Sequence, residues 1–431
     1  MNFSKTFCPS PWFHMRINNS GAYEYCRWTS TKTDQTNSPG MHEVDTIQWF
    51  QHGMKDLRLA MLLGQPVLGC NDCHVMEQHG KVSGRLRQLL KVGINTEDFD
   101  KSLASSPWFP EFEITLSKHG VTDQWPQDWQ IDLGNYCNSA CLFCTPHYSS
   151  RLASEFKRLG LIDTMPDANW CENSNSLAKF VDILASSPKL VYLHFIGGET
   201  LITPAFKIIL KALVSKSLAR NISIGFTTNL TVWEQSVVDL LCEFKEVNLG
   251  MSIECLHPLN DYVRYGGNLN KTLAFLDRWT DLANQQKWIS QLRVTPTVFT
   301  IWHLETVFEY AYQRKLSVES CNFLNKPEHM RPSVLPRDYR IKVIDKLQTW
   351  IDQHEIREIS NRVINTRNSA VVHQQIVQDA QSYVTYLRTQ PDESYRLPDL
   401  VRYIKTMELS RKNSILDYLP AYEPILRSAG Y

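Results

Sequence analysis

Three cysteines lie close together in one short segment, Cys137-Asn-Ser-Ala-Cys141-Leu-Phe-Cys144. Thiolate is the preferred protein ligand for iron in iron–sulfur clusters, and three thiolates at this spacing can reach three irons of a cuboidal cluster. No fourth cysteine follows nearby, so one iron would keep the open position that a metal centre needs to bind a substrate or cofactor. A zinc site completed by His147 is the alternative that the spacing leaves open.

From residue 129 onward, segments with the pattern of a strand alternate with segments with the pattern of a helix, and these elements must position the cysteines. Short runs rich in β-branched or aromatic residues, bounded by polar residues, glycine or asparagine, are typical of strands. Amphipathic stretches such as 204–217 and 269–284 lie between them and predict crossover helices. The pattern predicts a parallel α/β sheet, either doubly wound or an incomplete barrel, with the three-cysteine segment directly after its first strand. The six predicted strands are 129–136, 191–196, 222–227, 247–253, 291–298 and 316–323.

A second motif, Gly197-Gly198-Glu199-Thr200, follows the second predicted strand. Glycines allow the backbone to approach a ligand closely, and a carboxylate accepts hydrogen bonds from an ammonium group. The Cys-x3-Cys-x2-Cys motif, with Phe143 before its last cysteine, resembles the signature of the radical S-adenosylmethionine (SAM) superfamily. Gly-Gly-Glu at the end of the next strand resembles that superfamily's second motif.

The resemblance implies a fold and a set of cofactor contacts. The fold is a partial (β/α)6 TIM-like barrel, in which Cys137, Cys141 and Cys144 hold a SAM-binding 4Fe-4S cluster. Because ligands of parallel α/β folds bind at the carboxyl ends of the strands, polar residues there are expected on SAM. Thr228 and Asn229 could equally be ordinary turn formers. The implied SAM contacts are Phe143, Gly197, Gly198, Glu199, Thr200, Thr228, Asn229, Ser252, Glu254 and Arg264, the last on the SAM carboxylate.

One part of the superfamily pattern is missing. The fifth predicted strand, 291–298, lacks the glycine-containing motif with which many relatives bind adenine. The adenine contacts are therefore left to the backbone near Phe143.

Four further cysteines precede the predicted barrel, in Cys8-Pro-Ser-Pro-Trp12, at Cys26 and in Cys70-Asn-Asp-Cys73. This series resembles the auxiliary-cluster modules called twitch or SPASM domains, although Arg27 stands where relatives often have another cysteine. The resemblance implies a second 4Fe-4S cluster held by these four residues, and four thiolates could equally hold a structural zinc. The C-terminal segment Met407-Glu408-Leu-Ser-Arg411-Lys-Asn-Ser414 also resembles the tails of such proteins.

These motifs predict three domains. An auxiliary-cluster domain is expected over residues 1–128, and the radical SAM partial barrel over residues 129–330. A mainly helical region is expected over residues 331–431, where no cysteine occurs.

The implied reaction is reductive cleavage of SAM to a 5′-deoxyadenosyl radical, which abstracts hydrogen from a substrate. Barrels with auxiliary modules often modify ribosomally made precursor peptides by epimerisation, crosslinking or backbone excision, so a peptide is the favoured substrate. A small metabolite is one alternative, and a non-catalytic zinc-stabilised binding scaffold is another. The expected partners are the precursor peptide, a separate leader-recognition protein and a reductant such as flavodoxin or ferredoxin. The basic residues Lys81, Arg85 and Arg87 could hold an acidic leader or form an ordinary solvated face.

Cys255 and Cys321 are candidate hydrogen donors to a product radical, since each lies at or beside the end of a predicted strand. Either could instead ligate a substrate, or be simply a small buried hydrophobic residue.

Composition excludes several classes of function. The chain has 45 basic and 45 acidic residues, so no net field favours nucleic acid or an anionic membrane. No apolar run is long enough for a membrane span, and the N-terminus lacks the apolar core of a signal peptide. An odd count of 11 cysteines argues against a closed disulfide framework. A cytoplasmic location is expected.

Overall fold

The computed structural model describes residues 6–26, 39–78, 82–319, 323–354 and 369–431. The chain divides into two compact units. The first comprises Met1–Tyr136, Asp167–Gly225 and Asp239–Lys245, and the second comprises Cys137–Pro166, Phe226–Val238 and Glu246–Tyr431. The predicted division into three domains remains a prediction.

The described residues form ten strands, and the six predicted strands are present among them with shifted or shorter bounds. In chain order the strands are β1 (His14–Ile17), β2 (Tyr23–Glu24), β3 (Asp128–Asp132), β4 (Ala140–Cys141), β5 (Tyr192–Ile196), β6 (Ser223–Thr228), β7 (Glu246–Ser252), β8 (Arg264–Tyr265), β9 (Ile289–Arg293) and β10 (Ser317–Glu319). The six predicted strands correspond to β3, β5, β6, β7, β9 and β10.

Helices connect the strands and dominate the C-terminal region, as predicted. They are α1 (Thr46–Gln48), α2 (Lys55–Leu62), α3 (Asn71–Gln78), α4 (Gly84–Lys91), α5 (Phe99–Ser105), α6 (Phe109–Ser117), α7 (Ser150–Arg158), α8 (Ser174–Ser186), α9 (Pro204–Ser215), α10 (Gln235–Leu241), α11 (Leu259–Val263), α12 (Leu269–Gln286), α13 (Leu304–Arg314), α14 (Arg337–Asp352), α15 (Ser369–Thr389), α16 (Leu397–Arg411) and α17 (Glu423–Ser428). No helix within the described ranges is both long enough and apolar enough to cross a bilayer.

The sheet of the first unit contains a strand that the sequence analysis missed. β1 pairs in parallel with β3 and antiparallel with β2, and β3 pairs in parallel with β5. One face of β1, β3 and β5 is apolar and fully buried, because alternate residues of a strand point to the same side. Its members are Met15, Ile17, Trp129, Ile131, Leu193 and Phe195.

The second unit contains parallel pairs of β7 with β9 and of β9 with β10. A separate antiparallel pair joins β4 to β8. The mixed α/β architecture with mostly parallel strand pairing, expected of a partial (β/α)6 barrel, is therefore confirmed. So is the helical character of the C-terminal region, which α14 to α17 supply.

The N-terminal region is built around a buried arginine. The side chain of Arg58, in α2, is fully buried and donates to the carbonyl oxygens of Pro11 at 3.0 Å, Gln51 at 3.0 Å and Gly120 at 3.3 Å. Phe50 supplies a fourth carbonyl acceptor. One guanidinium thus replaces water for four peptide carbonyls and joins three segments of the N-terminal region.

Candidate active site

The middle of the three-cysteine loop is held by the β4–β8 pair. Cys141 lies opposite Arg264 and Ala140 opposite Tyr265 in this antiparallel register. The next residue, Leu142, continues the pairing by donating its backbone N–H to the carbonyl of Val263 at 2.8 Å. A loop with backbone bonds on both sides of Cys141 is restrained before any ligand binds.

The first part of the loop is fixed by the start of α7. The backbone N–H of Cys137 donates to Oγ of Ser150 at 3.1 Å. Ser149 caps the helix, accepting from the N–H of Leu152 at 3.1 Å, and its hydroxyl donates to the carbonyl of Ser139 at 2.6 Å. The sequence Ser149-Ser150 therefore serves two purposes, since it begins a helix and anchors the loop that precedes it.

Asn229 connects the loop to the end of β6. Its side-chain amide nitrogen donates to Oδ1 of Asn138 at 2.8 Å and to Oγ of Ser139 at 3.1 Å. Its Oδ1 accepts from the backbone N–H of Thr231 at 3.1 Å. Thr228 is fully buried and accepts from the N–H of Leu230 at 3.2 Å. Both residues thus have local roles, and a contact of either with SAM remains a prediction.

The three thiols are the type of ligand that an iron–sulfur cluster requires. The three thiols interact electrostatically, and burial, with neighbouring Cys141, raises the pKa of Cys144 to about 12. Burial raises the pKa of Cys141, while the nearby Arg264 guanidinium opposes that rise. Cysteines in such surroundings are poor thiolates alone and good ligands once a metal supplies positive charge. Within the described ranges, no three His, Cys, Asp or Glu side chains are arranged in metal-binding geometry.

Two of the predicted SAM contacts pair with each other. Nη1 of Arg264 donates to a carboxylate oxygen of Glu254 at 2.8 Å, and the other oxygen accepts from the N–H of Thr295 at 2.7 Å. Both side chains are almost completely buried. Burial alone would lower the pKa of Arg264, but Cys141 and Glu254 outweigh it and raise that pKa. The pair places a permanent positive charge beside Cys141. Ser252 ends β7 just before this site.

The Gly-Gly-Glu segment lies in the first unit and packs against the chain that leads into Cys137. Gly198 donates its N–H to the carbonyl of Gly134 at 2.9 Å, and Glu199 donates to that of Tyr136 at 2.8 Å. Gly197 has a φ of +132°, and a Cβ on Gly198 would lie 2.2 Å from the carbonyl oxygen of Tyr136. Glycine is therefore required at both positions by backbone approach alone.

Glu199 itself is fully buried, and its carboxylate accepts the backbone N–H of Leu201 at 3.2 Å. It begins a single turn of 3-10 helix whose first residue is Thr200. Part of the hydrogen-bonding capacity of the carboxylate is thus used locally. Binding of the SAM amino group by Glu199, and the involvement of Thr200 and Phe143, remain predictions.

The four N-terminal cysteines lie within electrostatic range of one another. Burial raises the pKa of Cys8 well above its usual value, and Cys26, Cys70 and Cys73 add to the rise. Burial also raises the pKa of Cys73, and the backbone N–H groups of Arg85 and Gly84 at the start of α4 oppose that rise. Four cysteines that act on one another electrostatically match an iron–sulfur or zinc site in the type and number of ligands.

Cys255 is fully buried, and its Sγ donates to the carbonyl of His257 at 3.8 Å. Burial raises the pKa of its thiol to about 12, so the sulfur keeps its hydrogen at neutral pH. A hydrogen donor requires that protonated form. Cys321, the other candidate, lies outside the described residues.

The sheet of the first unit also has a polar face, which was not predicted. On the side opposite the apolar face, Arg16 pairs with Asp132 at 2.6 Å and with Glu24 at 2.9 Å. Asp128 binds His14 at 3.1 Å and Lys91 at 2.6 Å. The register adds Gln130, Tyr192 and His194 to the same face. The alternation in Asp128-Trp-Gln-Ile-Asp132 was the available signal, since it predicts one polar and one apolar face.

Three solved structures illustrate what the chain is similar to. The crystal structure of Streptococcus suis SuiB is 14% identical, with 81% of this chain and 69% of that chain covered and a TM-score of 0.35. Native anSMEcpe with bound AdoMet is 20% identical over 52% and 60% of the two chains, with a TM-score of 0.36. TsrM from Kitasatospora setae, a radical S-adenosylmethionine methyltransferase with cobalamin and a [4Fe-4S] cluster bound, is 15% identical over 44% and 35%, with a TM-score of 0.32. No curated protein matches the sequence.

A family model provides the assignment. Residues 131–311 match the model described as the radical SAM superfamily. The match begins in β3 and ends in α13, so it includes the three-cysteine loop, the Gly-Gly-Glu segment and the Glu254–Arg264 pair. The chain therefore carries a radical SAM domain over these residues.

Proposed function

We propose that this chain is an enzyme that binds a 4Fe-4S cluster at Cys137, Cys141 and Cys144 and cleaves SAM reductively. The observation that carries the proposal is the three-thiol loop, pinned by β4 and β8 and faced by the Arg264 guanidinium. When bound and reduced, such a cluster supplies the electron that splits SAM into methionine and a 5′-deoxyadenosyl radical.

The protein's own residues would bind and orient the cofactor. We assign the SAM carboxylate to Arg264, which has donors beyond the one used for Glu254. Glu254 would then hold Arg264 in place, because its second oxygen is fixed by the backbone of Thr295. Glu199, Gly197 and Gly198 would bind the SAM amino group, with close approach allowed by the two glycines.

We propose a peptide as the substrate. Support comes from the N-terminal cysteine series, which resembles modules common among peptide-modifying relatives. Support also comes from the polar sheet face that carries Gln130, Tyr192 and His194. Amide, phenol and imidazole groups can donate and accept hydrogen bonds, as a peptide backbone requires. The radical would remove a hydrogen atom from this peptide, and Cys255 is the candidate to return one.

We also propose that Cys8, Cys26, Cys70 and Cys73 hold a second 4Fe-4S cluster. Their mutual electrostatic interactions, and the backbone N–H groups that oppose the rise in the pKa of Cys73, support a shared anionic site. Because cysteine would ligate every iron, the role of this cluster would be electron transfer or stabilisation of the N-terminal region.

The decisive experiment is anaerobic reconstitution with iron and sulfide, reduction with dithionite in the presence of SAM, and measurement of 5′-deoxyadenosine. Wild-type protein should form it, and Cys141→Ala should not, because one of the three cluster ligands is lost. Cys242→Ala is the matched control, since Cys242 is exposed and lies outside both cysteine groups. Equal 5′-deoxyadenosine yields from Cys141→Ala and wild type would overturn the proposal. So would a colourless wild-type protein loaded with zinc.

A further inference from the structure

Helix α16, in the C-terminal region, contacts the three-cysteine loop through its last residue. Arg411 is almost completely buried, and its Nη2 donates to the carbonyl oxygen of Ala140 at 2.8 Å. The same guanidinium binds Glu155 of α7, with Nη2 and Nε at 2.7 Å and 3.1 Å from its two carboxylate oxygens. The guanidinium carbon also lies 4.5 Å from the ring centre of Tyr265 in β8. Arg411 thus joins the loop to the two elements that anchor it.

A second residue of α16 holds the other side of Cys141. The hydroxyl of Tyr403 donates to the carbonyl oxygen of Leu142 at 2.8 Å. Ala140 and Leu142 flank Cys141, so the two carbonyls beside this cysteine are both bonded by one helix. α16 is itself fixed to α11, because the hydroxyl of Tyr262 donates to Glu408 at 2.8 Å.

One donor of Arg411 is unused. Its Nη1 is buried and has no hydrogen-bond partner among the residues that the structure describes. A buried guanidinium N–H without an acceptor is costly, so such groups normally have a partner. The Arg411 charge also acts on Cys141, where it opposes the rise in pKa that burial causes. A sulfur atom at the cluster site would supply the missing acceptor.

We propose that Arg411 is a positioning residue of the SAM-cluster loop, holding Ala140 through Nη2 and offering Nη1 to the sulfurs of the bound cluster or its cysteine ligands. This inference rests on the proposed cluster site. A hydrogen bond or positive charge beside the sulfurs stabilises the reduced, more negative cluster and raises its reduction potential. Helix α16 would then be part of the redox site, although it lies outside the matched residues 131–311.

The test compares reconstituted full-length variants by potentiometric titration of the cluster followed by electron paramagnetic resonance, and by the rate of iron loss to a chelator. The auxiliary cysteines are replaced by alanine in every sample, so that one cluster is observed. Arg411→Gln removes the charge and three of the five N–H donors, whereas Arg411→Lys keeps the charge. Arg402→Gln is the matched control, because Arg402 is an exposed arginine of the same helix whose partner is Asp399.

Arg411→Gln should lower the ratio of reduced to oxidised cluster at a fixed potential about tenfold, a shift of about 59 mV for a one-electron couple. Arg411→Lys should stay within about threefold of the parent, since it keeps the charge. Iron loss should be faster in Arg411→Gln and unchanged in Arg402→Gln. An Arg411→Gln protein with the parental potential and iron-loss rate would overturn the inference while leaving the proposed function intact.

If Arg411→Gln does not fold, Tyr403→Phe decides the question, because it removes one hydroxyl from the same support. About fivefold faster iron loss is expected from the lost hydrogen bond to Leu142. An unchanged rate overturns the inference. A parent protein that binds no four-iron cluster overturns the proposed function, and the inference with it.

Discussion

Cys141 and Arg264 face each other across the antiparallel pair of β4 and β8, and the guanidinium of Arg264 is held there by Glu254 at 2.8 Å. The arrangement places one buried positive charge beside a cysteine of the cluster loop. It also leaves the buried carboxylate of Glu254 dependent on its partner, because an isolated carboxylate in such surroundings is strongly disfavoured.

Arg264→Met should therefore destabilise the protein. Leaving Glu254 buried without its cation costs about 3–5 kcal/mol in free energy of unfolding. Urea unfolding of the metal-free protein, followed by circular dichroism, measures the effect. The double variant Arg264→Met with Glu254→Gln should be less destabilised than the sum of the single changes, because the unpaired charge is removed. Additive losses would contradict a coupled pair.

Glu199→Gln should weaken SAM binding while the cluster is retained. Loss of one charge-assisted hydrogen bond is worth about 1.5–3 kcal/mol, which is roughly ten- to a hundredfold in affinity. Calorimetry with the reconstituted protein measures that affinity, and iron content serves as the internal control. A lower melting temperature with unchanged affinity would show that the carboxylate serves only to cap the turn at Leu201.

The iron content should report two clusters. Two 4Fe-4S clusters predict about eight irons per reconstituted chain. Replacing Cys70 and Cys73 by alanine should reduce this to about four irons and preserve SAM cleavage in the radical SAM domain, whereas Cys242→Ala should change nothing. About four irons together with bound zinc in the parent protein would contradict the prediction of an auxiliary cluster and leave the prediction of the catalytic cluster standing.

Stability should fall as pH is lowered below neutrality, in part through a pair of histidines. The rings of His257 and His303 stack at 4.3 Å. Burial, with the charges of His257 and Lys346, lowers the pKa of His303 from 6.5 to about 4. Between these values the unfolded chain binds the proton more readily, so protonation favours unfolding and stability is lost as pH falls toward the folded-state pKa. His303→Phe should weaken this dependence in urea titrations between pH 7.5 and 5.

Exposed His52 provides the comparison for that titration, since His52→Gln removes one histidine without touching the stacked pair. Identical pH dependence in His303→Phe and wild type would exclude His303 as a contributor.

Local sequence determined the chemistry and most of the barrel elements. The strands β3, β5, β6 and β7 were predictable because each is a short segment rich in β-branched or aromatic residues and bounded by polar residues, glycine or asparagine, a signal contained in neighbouring residues. The three-cysteine loop and the Gly-Gly-Glu segment were predictable for the same reason. Their residue types and spacing are those that an iron–sulfur cluster and a closely approaching ligand would require, and such a requirement is expressed over a few positions.

Tertiary structure alone decided which distant groups support those motifs. β1 has no strong local pattern and forms because it can pair with β3, more than a hundred residues away. Arg411 lies 271 residues from Ala140. Its segment resembles the tails of proteins with auxiliary modules, but that local resemblance does not indicate that the side chain reaches the cysteine loop. Glu254 and Arg264 were both predicted as SAM contacts, yet their mutual pairing emerged only from the packing. The local periodicity of a sequence determines whether a segment forms a helix or a strand. The partner of a buried charge is determined by the tertiary packing, because a charged group is tolerated in the interior only when an opposite charge or a hydrogen-bonding group lies beside it.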